Sequence, residues 1–134
     1  MQITFYTDYS FRILIYLSWK NEQVTTIQEI YDFYQINKNH LTRIVHRLNK
    51  LGFIKTVRGK KGGVYLARSA ESICLKEVLI QMEPHFHLVE CFDVKKNKCK
   101  ITSVCKLKHI FHQAKLNFFS AFEGKTLQDI SISE

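Results

Sequence analysis

The chain has 134 residues, 46% of them hydrophobic, and a net charge of +8. That length and apolar content exclude a disordered tail and fit one domain with its own core. No apolar run reaches bilayer length and no secretory pattern opens the sequence, so a cytoplasmic location without membrane contact is expected.

The charge is concentrated. From Phe33 to Ala70 there is no Asp or Glu, yet nine cationic side chains fall there: Lys38, Arg43, Arg47, Lys50, Lys55, Arg58, Lys60, Lys61 and Arg68. The rest of the chain is close to neutral. An acid-free basic block between neutral flanks is the footprint of a polyanion binder, with a solvated basic face as the plain alternative.

In chain order, YSFRILIYLSWK predicts a mostly buried helix over Tyr9 to Lys20, with Asp8 as its N-cap. Thr25 or Thr26 caps a second helix over Ile27 to Tyr34, with Glu29 in its first turn. After the turn QINKN, a third helix runs from Lys38 to Leu51. Leu41, Ile44, Val45, Leu48 and Leu51 form its apolar stripe, and Asn39, His40, Arg43, His46, Arg47 and Lys50 its opposite face. Gly52 ends it.

Two short strands follow, Ile54 to Val57 and Val64 to Leu66, joined through Arg58-Gly-Lys-Lys-Gly-Gly63. A helix–turn–helix with a basic-tipped hairpin is a winged-helix pattern. Asn37, Lys38, Asn39, His40 and Arg43 stand where a recognition helix meets base edges. Asn suits adenine and Arg suits guanine. Arg58 fits a minor groove, while Arg47, Lys60 and Lys61 complete the DNA-facing set, the two wing lysines as phosphate contacts.

A fourth helix is expected over Ser72 to Met82, stopped by Pro84, with Cys74 as a small core residue. Cys91, Cys99 and Cys105 follow in the spacing C-x7-C-x5-C. In a reducing compartment clustered thiols point to metal, cluster or redox chemistry more than to disulfides. The loop lacks the close cysteine pairs of common zinc sites. Zinc through Cys91, Cys99, Cys105 and His109 stays open, as do reactive thiols beside the loop lysines. His85 and His87 read as exposed loop residues. From Thr102 or Cys105 to Phe122 a final helix carries Leu107, Ile110, Phe111, Ala114, Phe118, Ala121 and Phe122. So large a stripe predicts burial against a second copy, with burial inside the monomer as the alternative. Thr126 to Ile130 predicts a short helical turn.

The fold expected is therefore mainly α: a winged helix-turn-helix with a small β-hairpin wing and a long C-terminal dimerisation helix. Residues 1–83 form the DNA-binding part, 84–105 the cysteine loop, and 106–134 the dimerisation helix and tail. No phosphate-cradling glycine loop, paired-carboxylate site or nucleophile elbow points to an enzyme.

FYTDYSFRILIYL, INKNHLTRIVHRLNKLGFIKTVRGKKGGVYLAR, MEP, C-x7-C-x5-CKLK and TLQDI together resemble the iron–sulfur transcription regulators that comprise the nitric-oxide-sensing NsrR repressors and the cluster-assembly IscR regulators. The resemblance covers essentially the whole chain. It implies a homodimeric repressor on a palindromic double-stranded DNA operator, with nitric oxide as signal. It also implies an iron–sulfur cluster on Cys91, Cys99 and Cys105, [4Fe–4S] by expectation, with [2Fe–2S] or zinc as alternatives. In NsrR-like members a fourth ligand comes from an aspartate near the N-terminus of the other subunit, and Asp8 matches it. IscR-like members use a histidine shortly after the third cysteine. Here position 108 is Lys and the histidine is His109, which favours the nitric-oxide-sensing branch.

Overall fold

Helix α1 (Phe5–Trp19) begins earlier than its apolar pattern predicts in the computed structural model, which describes residues 2–132. The N-cap is Thr4, whose Oγ1 accepts the Thr7 amide at 3.3 Å, and Asp8 lies inside the first turn. The expected Asp8 cap is thus corrected. Both residue types cap well, and Thr4 prevails because the Glu83 carboxylate accepts from its hydroxyl and amide at 2.9 and 3.1 Å. Ile13, Leu14, Tyr16 and Leu17 of α1 are buried.

Helix α2 (Ile27–Tyr34) follows the sequence pattern closely. Glu29 accepts the Thr26 amide at 2.7 Å, and Thr26 Oγ1 accepts the Glu29 amide at 3.1 Å. The Thr26 amide, and then its hydroxyl, hold the Glu29 carboxyl below its ordinary value. Gln35 ends α2 in a left-handed conformation, φ 55°. Helix α3 (Lys38–Lys50) buries Leu41, Ile44, Val45 and Leu48 and leaves its polar face outside. Gly52 takes φ +79° just past its end, a conformation that favours glycine.

Strands β1 (Ile54–Val57) and β2 (Gly63–Leu66) pair antiparallel, from Ile54 opposite Leu66 to Val57 opposite Gly63. The hairpin is also tied to the helix–turn–helix. Thr25 and Val64 exchange backbone hydrogen bonds, at 2.9 Å from the Thr25 amide and 2.8 Å from the Val64 amide. Thr25 thus adds a one-residue third rung, and Gly63 is required beside it. A Cβ at Gly63 would lie 2.4 Å from the Thr25 carbonyl oxygen.

Helix α4 (Leu75–Met82) starts later than predicted, and Ala70–Ser72 form a separate 3-10 turn. The cause is the C-terminal segment. The Leu127 amide donates to the Ile73 carbonyl and the Leu75 amide to the Lys125 carbonyl, each at 2.9 Å. Those bonds hold Ile73 and Cys74 extended and let the helix begin only at Leu75. Cys74, expected in the core, is half-buried at the α4 N-cap. The tail turn, Leu127–Ile130, closes over the core with Leu127 fully buried.

Helix α5 (Lys106–Ser120) has no buried residue. Its C-terminal end and the turn after it are anchored by rings: Phe119 meets Phe86 edge-on at 4.7 Å, and Phe122, just past the helix, stacks on Phe11 at 6.5 Å. Leu107 and Ile110 are 56% and 65% exposed.

Gly63→Ala should lower stability by about 1–3 kcal/mol, because a methyl group is forced against backbone that cannot step aside. A urea melt reads this as a lower midpoint. An unchanged midpoint would mean the Thr25 rung adds nothing to the fold.

Candidate DNA interface and cysteine loop

The N-terminal turn of α3 faces solvent, with Asn39, His40 and Arg43 exposed. The other expected base-reading residues are partly engaged. Asn37 is the N-cap, its Oδ1 accepting the Asn39 amide at 2.8 Å. Lys38 donates to Gln28 Oε1 and lies 5.0 Å over the Tyr31 ring. Arg47 is half-buried and leans toward α4, donating to the Gln81 carbonyl at 3.4 Å. Arg58, Lys60 and Lys61 are exposed at the wing tip. Helix α3 and the wing therefore present cations on an acid-free stretch of chain. One bond reaches the recognition helix from α1: Tyr6 donates its hydroxyl to the Arg43 carbonyl at 3.0 Å.

After Pro84 the chain runs through short turns rather than regular structure. Cys91 is half-buried in a 3-10 turn, Glu90–Phe92. The Lys96 and Asn97 amides donate to the Asp93 carbonyl at 3.1 and 2.9 Å. Exposed Cys99 is held by its backbone, its amide donating to Asn97 Oδ1 at 3.0 Å and its carbonyl accepting from Thr102 Oγ1 at 2.8 Å. Cys105 is the N-cap of α5, its Sγ accepting the Lys108 amide at 3.4 Å.

All four cysteines are free thiols. Among the described residues no three His, Cys, Asp or Glu side chains come close enough to hold a metal ion. Asp8 is instead paired within its own chain, 2.7 Å from Arg12 one turn along α1. His109 is exposed, and so are His85 and His87, whose rings stack at 4.9 Å. As donors, three accessible thiols without a disulfide suit iron–sulfur ligation. Their placement in this single chain is an open loop, not a closed chelate.

One residue with a clear structural role carried only a faint sequence signal. Glu83, 8% exposed at the end of α4, accepts three hydrogen bonds at Oε2 from the first turn of α1: Thr7 Oγ1 at 2.6 Å, Thr4 Oγ1 at 2.9 Å and the Thr4 amide at 3.1 Å. Only its place before Pro84, which forces an extended backbone there, marked it out. Beside this clasp lies an apolar groove of about 420 Å³, edged by Phe5, Asp8, Phe11, Leu75, Leu79 and Phe122. Among the described residues no helix is long and apolar enough to cross a membrane.

The chain is 42% identical to the HTH-type transcriptional regulator NsrR of Bacillus licheniformis over 135 residues, covering 100% of this chain and 94% of that protein. It is 41% identical to the regulator of the same name from Bacillus subtilis over 131 residues, covering 97% and 90%. Solved structures share the fold at lower identity. Oxidized Staphylococcus aureus CymR superposes with a TM-score of 0.79 at 19% identity, covering 100% of this chain and 98% of that one. T. potens IscR gives 0.74 at 18%, covering 97% and 85%. The Rrf2 family, described as iron-dependent transcriptional regulators, matches residues 3–132. That match over nearly the whole chain, together with these identities, places the protein in the Rrf2 family.

Proposed function

We propose that this DNA-binding transcription regulator is a homodimeric repressor whose operator affinity is set by an iron–sulfur cluster and lowered by nitric oxide. The carrying observation is the presence, in one chain, of an exposed cationic recognition helix and wing beside three free thiols at C-x7-C-x5-C. The names of its relatives support the same reading, and they are regulators, not enzymes.

On DNA, Asn39, His40 and Arg43 take the base edges, with Arg43 suited to guanine and Asn39 to adenine. Asn37 and Lys38 border them, keeping their roles in the α3 cap and the α2 contact. Arg58 enters the minor groove, Lys60 and Lys61 face phosphates, and Arg47 completes the DNA-facing set from its place beside Gln81. A two-fold dimer then reads a palindrome with half-sites about 34–36 Å apart. The second copy covers the outward apolar face of α5 and the groove beside Asp8, which otherwise leave large hydrophobic side chains in water.

Cys91, Cys99 and Cys105 would hold the cluster, with [4Fe–4S] the leading assignment, and Asp8 of the partner subunit would complete it. Bound there, the group supplies an iron with a non-thiolate ligand, open to nitric oxide. For this the chain has only to turn the loop sulfurs inward and release Asp8. Asp8 and Arg12 form an exposed pair one turn apart, a kind worth only a few tenths of a kcal/mol, about 0.3–0.5. Little therefore opposes the release. A thiol-based reading is favoured by one observation, the exposure of Cys99 as a free thiol. It requires no iron.

Protein purified without oxygen should be brown, with iron and acid-labile sulfide; Cys91→Ser, Cys99→Ser or Cys105→Ser should abolish the colour, and Asp8→Ala should weaken retention. Colourless protein containing zinc, or binding the operator equally with and without nitric oxide, would sink the cluster reading. On DNA, Arg43→Ala should cost about 1–3 kcal/mol at its base and relax specificity there. The double change Lys60→Ala and Lys61→Ala should weaken all sequences alike and flatten the log–log salt dependence by roughly two units. Finally, Ile110→Asp should shift sedimentation from dimer to monomer, and a dimer that survives would move the interface off α5.

A further inference from the structure

We infer that Glu83 is a positioning residue that couples the root of the cysteine loop to the recognition helix through the first turn of α1. Its biological meaning rests on the cluster-gated reading above, while the mechanical link stands on geometry alone.

The Glu83 side chain is a buried carboxylate with no basic partner among the described residues. Its charge is met by the N-terminal end of α1: the Thr4 amide, the Thr4 hydroxyl and the Thr7 hydroxyl all converge on Oε2. Thr7 is fully buried, so water cannot replace its bond. The Glu83 backbone is extended, φ −78° and ψ 128°, and Pro84 leads directly into the loop. A movement of the loop root therefore turns the carboxylate.

Tyr6 sits between the two threonines in the same turn, and it holds the Arg43 carbonyl inside α3. Asp8 is the next residue after Thr7. One helical turn thus carries the clasp to the loop root, the bond to the recognition helix and the candidate fourth ligand. A rigid turn transmits displacement between them; a turn freed from Glu83 frays and transmits nothing.

The test uses the full chain with Thr7→Val, Glu83→Gln and Tyr6→Phe, and Thr7→Ser as the variant that keeps the hydroxyl. Two quantities are read: the ratio of operator affinities between cluster-loaded and cluster-free protein, and amide hydrogen exchange of the cluster-free protein. Thr7→Val, Glu83→Gln and Tyr6→Phe should each shrink the affinity ratio by about fivefold or more, the lower end of typical coupling between sites. Thr7→Ser should not. In cluster-free Thr7→Val, exchange should quicken both in the first turn of α1 and around residues 43–47 of α3. A lower melting temperature with an unchanged ratio, or faster exchange confined to α1, overturns the inference and leaves Glu83 a plain structural residue. Should the wild type show no difference between loaded and cluster-free protein, the cluster-gated reading fails by itself. The exchange measurement then decides the link: joint acceleration upholds it, and an unaltered α3 removes it.

Discussion

A single buried carboxylate determines where the first helix starts. An unpaired charge at Glu83's depth is costly unless several donors meet it, and the first turn of α1 offers three within 3.1 Å. That demand pulls Thr4 into the cap and extends the helix backward through Tyr6 and Thr7. It also brings the end of α4, and so the start of the cysteine loop, against the N-terminus of a helix that packs on α3. Placing α1 elsewhere would strand the carboxylate and leave the Thr7 hydroxyl without its acceptor.

Elements fixed by neighbouring residues alone follow their sequence pattern. The α3 stripe from Leu41 to Leu48 repeats at the helical period, and its buried positions are those side chains. The Thr26–Glu29 capping box needs only four residues and forms as the pattern implies. The two departures share one cause, partners far away in sequence. Glu83 is 79 residues from Thr4, and the extended stretch that delays α4 is held by the Lys125 carbonyl and the Leu127 amide. No window of neighbouring residues contains either partner. The Thr25 rung beside Gly63 was hidden for the same reason, although the paired glycines at 62 and 63 hinted that backbone would approach closely.

The cysteine site was legible as chemistry and not as geometry. Spacing names three thiols and their flanking lysines, but says nothing of where the turns aim them. Within one chain Cys91, Cys99 and Cys105 stay apart from any third donor among the described residues. The loop is built from short-range turns, with almost no large buried side chain to hold it. Segments of this kind open at low free-energy cost. Such a loop is a poor preformed chelate, and in the proposed cluster-bound state the energy of binding would be converted into ordering it.

Three elements could carry that ordering to the DNA-facing side. Helix α5 is capped by Cys105 and meets Phe92 of the loop through His112 and Lys115, but the ring contacts at and just past its far end run to Phe86 and Phe11, not to α3. Helix α4 touches α3 through the Arg47–Gln81 contact, which at 3.4 Å and in an exposed setting is a weak hydrogen bond. Helix α1 has both a buried, multiply bonded attachment to the loop root and a 3.0 Å bond to the Arg43 carbonyl. The Tyr6 bond is exposed like that of Arg47 but shorter, so among the described residues α1 is the best bonded of the three routes. On the coupling inferred above, a displacement of the loop reaches α3 through α1, and Arg43, whose carbonyl accepts from Tyr6 and whose side chain is exposed, is the first residue of α3 to feel it.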